Sequence, residues 1–139
     1  MNVRELMIDD WVAVGCGLKS DYVQQAKVES IQTRQPGMVP FIRIFDHQYG
    51  LLTFYFDSDT IVPVTLEAYM LELNGWSKME GQEHYYRRFN PLCFLEWRAD
   101  NKALFVNDGL MPEPVRYVHQ LQNVFRACGL ELTATTFQI

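Results

Sequence analysis

The chain has 139 residues, of which 48% are hydrophobic and 21% charged, proportions typical of a folded globular protein and unlike those of disordered or fibrous chains. Its net charge of −5 is shared between both halves without a basic tail, so a general attraction to polyanions is not expected. No apolar run approaches the ~18 residues of a membrane span, and the acidic residues near the start do not suit a secretory signal.

The cysteine content indicates the compartment in which the chain folds. Its three cysteines are far apart in the sequence and odd in number, which does not suit a disulfide framework: Cys16, Cys93 and Cys128. This pattern predicts free thiols and a reducing, cytoplasmic location.

The first part of the chain, residues 1–62, is predicted to be an all-β module. Hydrophobic or alternating runs that suit short strands cover residues 6–8 and 11–14, 26–31, 41–45, 51–56 and 61–62. Turn-forming residues separate these runs at residues 15–17, 36–37 and 46–50. Several short strands with turns between them favour a small curled sheet or an SH3-like barrel.

A boundary at residues 62–63 introduces the second part of the chain. Thr65 suits a helix N-cap, apolar residues follow at helical spacing up to Leu73, and Asn74-Gly75 favours a left-handed stop. The pattern therefore predicts a short helix at the start of this part.

Three antiparallel strands and a second helix are predicted after that stop. The strands cover residues 85–89, 92–98 and 103–106, and the helix covers residues 115–128. Residues 130–137 are compatible with one further edge strand. The expected fold class is α+β: a small curled sheet or SH3-like barrel in residues 1–62, then an α-β-β-β-α half with antiparallel strands in residues 63–139. We expect the two modules to pack together as one compact unit.

The second predicted helix carries the most specific motif, YVHQLQN at residues 117–123. Its apolar residues occupy one half of the helix circumference, and five polar or charged residues occupy the other: Arg116, His119, Gln120, Asn123 and Arg126. This polar face is interpreted as a hydrogen-bonding seam, either an internal one within the chain or the surface that binds a partner. The five residues are therefore the candidate partner-binding residues. Gln122 falls at the edge of the apolar half, where its amide needs hydrogen-bond partners.

Four segments together carry a resemblance to known sequences: LMIDDWV at residues 6–12, PVTLE at 63–67, NGW at 74–76 and the YVHQLQN motif. They resemble a group of short proteins of uncharacterised function from gut-bacterial and phage genomes. The resemblance implies a cytoplasmic protein of a prophage or mobile element, and it carries over no catalytic residue. Asp9-Asp10 stands where the group usually has Gly-Asn, which argues against a glycine-dependent turn before Trp11.

Motifs for metals, cofactors and nucleophiles are weak. The three histidines, His47, His84 and His119, lack the spacing of zinc ligands. Residues 57–59 resemble the start of a calcium loop, but the glycine and glutamate that such a loop needs at later positions are missing. Cys16 lies between two glycines without a recognisable base. We therefore predict neither a metal site nor a cofactor.

Three functional hypotheses follow, and the leading one is a non-enzymatic protein-binding or adaptor module. It would use exposed aromatic surface or the polar face of the second helix. The second is a nucleic-acid-binding accessory protein that uses Tyr86, Arg87 and Arg88, because aromatic rings stack on bases and arginines meet phosphates. Strand alternation argues against it, since it places Arg87 on the opposite face from Tyr86 and Arg88. The third is an unrecognised enzyme built around His119, with Asn123 and a remote carboxylate.

Overall fold

The computed structural model describes residues 6–15, 23–32, 41–46, 50–55 and 61–139. The chain divides into two compact units, Met1–Val64 and Thr65–Ile139, close to the boundary expected from the sequence. Four features of the sequence lie outside the described residues: the turn predicted at residues 36–37, most of the turn at 15–17, the loop residues 47–49 and the segment 57–59.

The described part of the first unit is one antiparallel sheet of five strands. The strands are β1 (Trp11–Gly15), β2 (Val23–Gln32), β3 (Phe41–Asp46), β4 (Gly50–Tyr55) and β5 (Ile61–Pro63). They lie in the order β4-β3-β2-β1-β5, so the fifth strand pairs with the first, and the sheet is curled as predicted. The register shifts between Val28 and Ser30, and such a bulge increases the twist of a strand.

Residues 6–8 form no strand, and a turn before Trp11 takes their place. Asp9 has a φ of 69°, in the left-handed region that aspartate tolerates better than most residues. The buried Asp10 carboxylate accepts a hydrogen bond from the Met7 amide at 2.7 Å. The backbone of this turn also pairs with Val28 on β2 at 2.8 and 2.9 Å. The turn therefore forms with an aspartate, not a glycine, in the left-handed position.

The second unit, all of which is described, has a helix, a sheet and two further helices. Its elements are α1 (Ala68–Leu73), β6 (Ser77–Lys78), β7 (Tyr85–Phe89), β8 (Phe94–Arg98), β9 (Leu104–Val106), β10 (Gly109–Leu110), α2 (Val118–Ala127) and α3 (Glu131–Thr135). The strands form an antiparallel meander in the order β10-β9-β8-β7-β6. The α+β class and the three central strands are confirmed. The two additional strands have only two residues each, too few to produce a recognisable alternation.

Both predicted helix starts are displaced by the same backbone pairing. Thr65 forms a β-bridge with Tyr117, and the Leu66 amide donates to the Arg116 carbonyl at 2.8 Å. The two segments are therefore extended where the sequence pattern predicted the first turns of helices. The predicted stops are confirmed, since Gly75 and Gly129 have φ values of 82° and 76°.

The edge strand predicted at residues 130–137 is wrong, because α3 occupies this segment. Leu130, Ala134 and Phe137 are buried, and the spacing of the first two is that of one helical face. The Gln122 side chain on α2 donates to the Ala134 carbonyl at 2.8 Å, which supplies a partner for its buried amide. The Phe125 ring lies 6.1 Å from that of Phe137. These contacts hold α3 against α2.

The end of α1 is joined to the C-terminal segment through one asparagine. The Asn74 side-chain amide donates to the carbonyls of Met70 and Gln138, each at 2.7 Å, and its oxygen accepts from the Gln138 amide at 2.8 Å. The Arg88 side chain donates to the Asn74 carbonyl. One residue thus connects a helix end, a strand and the C-terminal segment.

Among the described residues, no helix has both the length and the apolar character needed to cross a membrane.

We expect Asn74→Ala to lower the free energy of unfolding by about 1–3 kcal/mol, because it removes the three side-chain hydrogen bonds at this junction. Urea denaturation would measure the loss, and hydrogen exchange should show that the Gln138 amide loses its protection. Asn90→Ala is the matched control, since the half-buried Asn90 makes no side-chain hydrogen bond with any residue that the structure describes. Equal losses in the two variants would contradict the prediction.

Candidate functional site

The predicted polar face of α2 is largely occupied by contacts within the second unit. His119 is only 1% exposed, and its ring lies parallel to that of Tyr117 at 5.9 Å. The Gln120 side-chain oxygen accepts from the amides of Arg116 and Tyr117 at 2.9 and 3.2 Å, so it caps the start of the helix. Of the predicted partner-binding residues, Arg116 alone has an exposed side chain.

The far end of the same face is also engaged. The Arg126 side chain is 7% exposed and donates to the Asn123 side-chain oxygen at 3.0 Å. It also lies 3.6 Å from the Glu131 carboxylate at the start of α3. The polar residues of α2 are therefore mostly engaged within the second unit, as the internal alternative expects, and α3 supplies the contact at this end of the face.

The three residues of the nucleic-acid hypothesis are divided between the two sides of the second sheet. Tyr86 is buried, with its ring 6.4 Å from that of Trp97. Arg88 has the same orientation along the strand and donates to the Asn74 carbonyl. Arg87 points to the opposite side. The structure therefore does not bring Tyr86, Arg87 and Arg88 together on one surface.

Strand pairing assembles a different set of residues on that opposite side. Cross-strand partners share a face of a sheet, and successive residues alternate between faces. The register of the second sheet therefore defines an outer face with eight large or charged side chains: Tyr85, Arg87, Phe89, Phe94, Glu96, Arg98, Phe105 and Leu110.

The buried carboxylate of Glu96 lies at the centre of the outer face. Arg87 on β7 donates to one of its oxygens at 2.8 Å. Arg98 lies on β8, like Glu96 itself, and donates to the other oxygen at 3.2 Å. A buried carboxylate is costly unless it is paired, and here both oxygens have guanidinium partners. The three charged side chains thereby fix one another in position.

Aromatic rings of the outer face pack against the two guanidinium groups. The Arg98 guanidinium lies 4.5 Å from the ring centre of Tyr85 and 4.3 Å from that of Phe105. The Arg87 guanidinium lies 5.5 Å from the ring centre of Phe94. Such cation–π contacts hold the guanidinium groups against the rings of the sheet.

The apolar part of the outer face is open to solvent. Phe89 is 79% exposed, and its ring stacks on that of Phe94 with 4.7 Å between centres and an angle of 24°. Leu110 on β10 is also exposed. This arrangement offers a rigid apolar contact surface beside partly exposed arginines. The alternation within β7 (YYRRF) and β8 (FLEWR) indicates which side chains of each strand share a face. The register that places Arg87 opposite Glu96 is not visible in the sequence.

A second feature of the same unit is a pair of thiols. Cys93, just before β8, is buried, and Cys128, at the end of α2, is half-buried. The pKa of Cys93 is raised to about 11, first by burial and then by the hydrogen-bonded Cys128, while Arg88 acts in the opposite direction. A Cβ atom at Gly129 would lie 3.8 Å from Leu92 Cδ1, so the turns that carry the two thiols are in contact. Sequence analysis missed this pair because the cysteines are far apart along the chain.

No group of three His, Cys, Asp or Glu side chains in the described part of the chain is placed to hold a metal ion. Comparison of the chain with protein-family models, with curated proteins and with solved structures found no match.

We expect Glu96→Gln to lower the free energy of unfolding by about 1–2 kcal/mol, because it leaves two guanidinium groups without their carboxylate. Urea denaturation at low and high salt would measure the loss. Glu83→Gln, at an exposed glutamate that has no ion pair with a described residue, is the control and should change stability little. A Glu96→Gln protein as stable as this control would show that the ion pairs do not stabilise the sheet.

The raised pKa of Cys93 predicts a loss of stability in alkali. The folded state keeps the thiol proton up to about pH 11, whereas the unfolded chain releases it near its ordinary pKa of 9.0. The contribution is therefore complete below pH 9 and lost as the pH rises to about 11, by up to about 2–3 kcal/mol. Denaturation under reducing conditions should show this additional decline in the wild type relative to Cys93→Ala. Parallel pH profiles for the two proteins would contradict it.

Proposed function

We propose that this chain is a non-enzymatic protein-binding or adaptor module and that the outer face of the second sheet holds its partner. The observation that carries the proposal is the exposure of Phe89, whose ring stacks on that of Phe94 with 4.7 Å between centres, while Leu110 of the same face is also exposed. Burial of aromatic side chains supplies much of the binding energy of protein interfaces.

The outer face is suited to binding because its side chains are already held in place. Stacking orients Phe89 and Phe94, and the Glu96 carboxylate fixes both arginines. A partner that binds preorganised side chains loses less conformational entropy on association. We therefore expect this face to bind a partner more tightly than a surface of similar size whose side chains are mobile.

The charge of the outer face indicates the chemistry of the partner. Two arginines surround one glutamate, which leaves a positive charge on a chain whose net charge is −5. The side chains of Arg87 and Arg98 are 34% and 30% exposed, so they retain access to a further acceptor. The partner that fits is a protein surface with an aliphatic or aromatic side chain beside a carboxylate.

Nucleic-acid binding is the second candidate, now through different residues. Phe89 and Phe94 could stack on bases near Arg87, while Tyr86 and Arg88 lie on the inner side of the sheet. The Glu96 carboxylate at the centre of the face and the acidic chain argue against a phosphate backbone there. The burial of the His119 side chain disfavours the enzyme hypothesis, since a substrate has little access to its ring.

The setting remains part of the proposal. The free thiols Cys93 and Cys128 support a reducing cytoplasm. The resemblance of the sequence motifs to those of gut-bacterial and phage proteins supports a prophage or mobile element.

We expect Phe89→Ala to weaken partner binding about tenfold or more, because it removes the exposed ring of the outer face. The wild-type protein would be used as bait in nuclease-treated bacterial lysate, and the dissociation constant of each purified partner would then be measured. Leu132→Ala is the control, since it removes an equally exposed apolar residue from α3 and should leave affinity within about twofold.

Two outcomes would contradict the proposal. One is a partner that binds the Phe89→Ala and wild-type proteins equally. The other is salt-sensitive binding of single-stranded DNA, measured by fluorescence anisotropy and lost in Phe89→Ala, which would assign the outer face to nucleic acid instead.

A further inference from the structure

Two thiols that are distant in sequence meet at the junction of two turns. Cys93 ends the β7–β8 turn, and Cys128 caps the end of α2. Their side chains are close enough to hydrogen-bond, and the neighbouring Leu92 and Gly129 are themselves in contact. Both cysteines are free thiols in this structure.

We propose that Cys93 and Cys128 form a redox modification site, at which a hydroperoxide converts the two thiols into a reversible intramolecular disulfide. The inference stands apart from the proposed binding function, since it rests on the placement of these thiols alone. Neither cysteine lies within a strand or helix, so the short approach needed for a sulfur–sulfur bond can occur in turn backbone.

The more accessible thiol reacts first. The Cys128 thiolate attacks one oxygen of hydrogen peroxide, the O–O bond breaks, and a sulfenic acid and hydroxide are formed. The Cys93 sulfur then attacks the sulfenyl sulfur, loses its proton and expels a second hydroxide. Both hydroxides take up the protons released by the thiols. One hydroperoxide is therefore reduced to two waters while two thiols become one disulfide.

The burial of Cys93 determines which step is slow. Because its pKa is raised to about 11, nearly all of it is protonated at neutral pH, and only the thiolate attacks efficiently. The sulfenic acid on Cys128 should therefore persist long enough to be trapped by dimedone. The slow closure also means that brief oxidant exposure leaves a sulfenic acid on Cys128, which converts to the disulfide after the oxidant has been removed.

The test uses the full chain with Cys16→Ser, which leaves Cys93 and Cys128 as its remaining cysteines. After treatment with hydrogen peroxide, intact mass should fall by two hydrogen atoms, and peptide mapping should join the peptides of Cys93 and Cys128. Dithiothreitol should reverse both changes. The thermal midpoint of the oxidised protein should rise by about 5 °C or more, because the cross-link restricts the unfolded chain.

Two control variants identify the order of the steps. With Cys93→Ser added, a dimedone adduct should accumulate on Cys128, and with Cys128→Ser added, modification of Cys93 should fall at least tenfold. Disulfide-linked dimers, or a Cys16→Ser protein that gains only oxygen atoms on Cys128, would overturn the proposal. Both outcomes are measured on the Cys16→Ser protein, which retains both thiols, so neither depends on whether the two control variants fold.

Discussion

The buried Glu96 carboxylate imposes the constraint on which the outer face of the second sheet depends. A carboxylate in this position must be paired, and its two oxygens hold Arg87 and Arg98 at 2.8 and 3.2 Å. Those arginines then lie against the rings of Tyr85, Phe94 and Phe105 instead of extending into solvent. The central charge thus produces an ordered aromatic surface, and the exposed Phe89 ring continues it.

Side-chain amides have the corresponding role among the helices. The buried Gln122 joins α2 to the Ala134 carbonyl of α3, and the half-buried Asn74 joins the end of α1 to Gln138. The Gln122 amide would be costly to bury without a partner, so its bond favours this arrangement of α2 and α3. The short helices α1 and α3 have little stability by themselves, and tertiary contacts of this kind determine their position.

Local patterns predicted most of the fold, but not the site. Alternation located β7, β8 and β9, and helical spacing located α2, because both signals lie within a few neighbouring residues. The burial of Leu130 and Ala134 suits a helix, yet a segment of eight residues gives too short a period to separate it from a strand. The outer face depends on register, and the thiol pair depends on a contact between distant turns. Neither register nor distant contact is encoded in a local pattern.

The bridge between Thr65 and Tyr117 has a consequence for the order of folding. The meander from β7 to β9 joins residues that are close in sequence, so its hairpins can close quickly. The bridge instead closes a loop of about fifty residues and pays a larger entropic cost before any contact compensates for it. During synthesis, the extended segment at Leu66 cannot pair until the segment around Arg116 has left the ribosome. We therefore expect the meander to form first and the pairing that displaces both helix starts to form last.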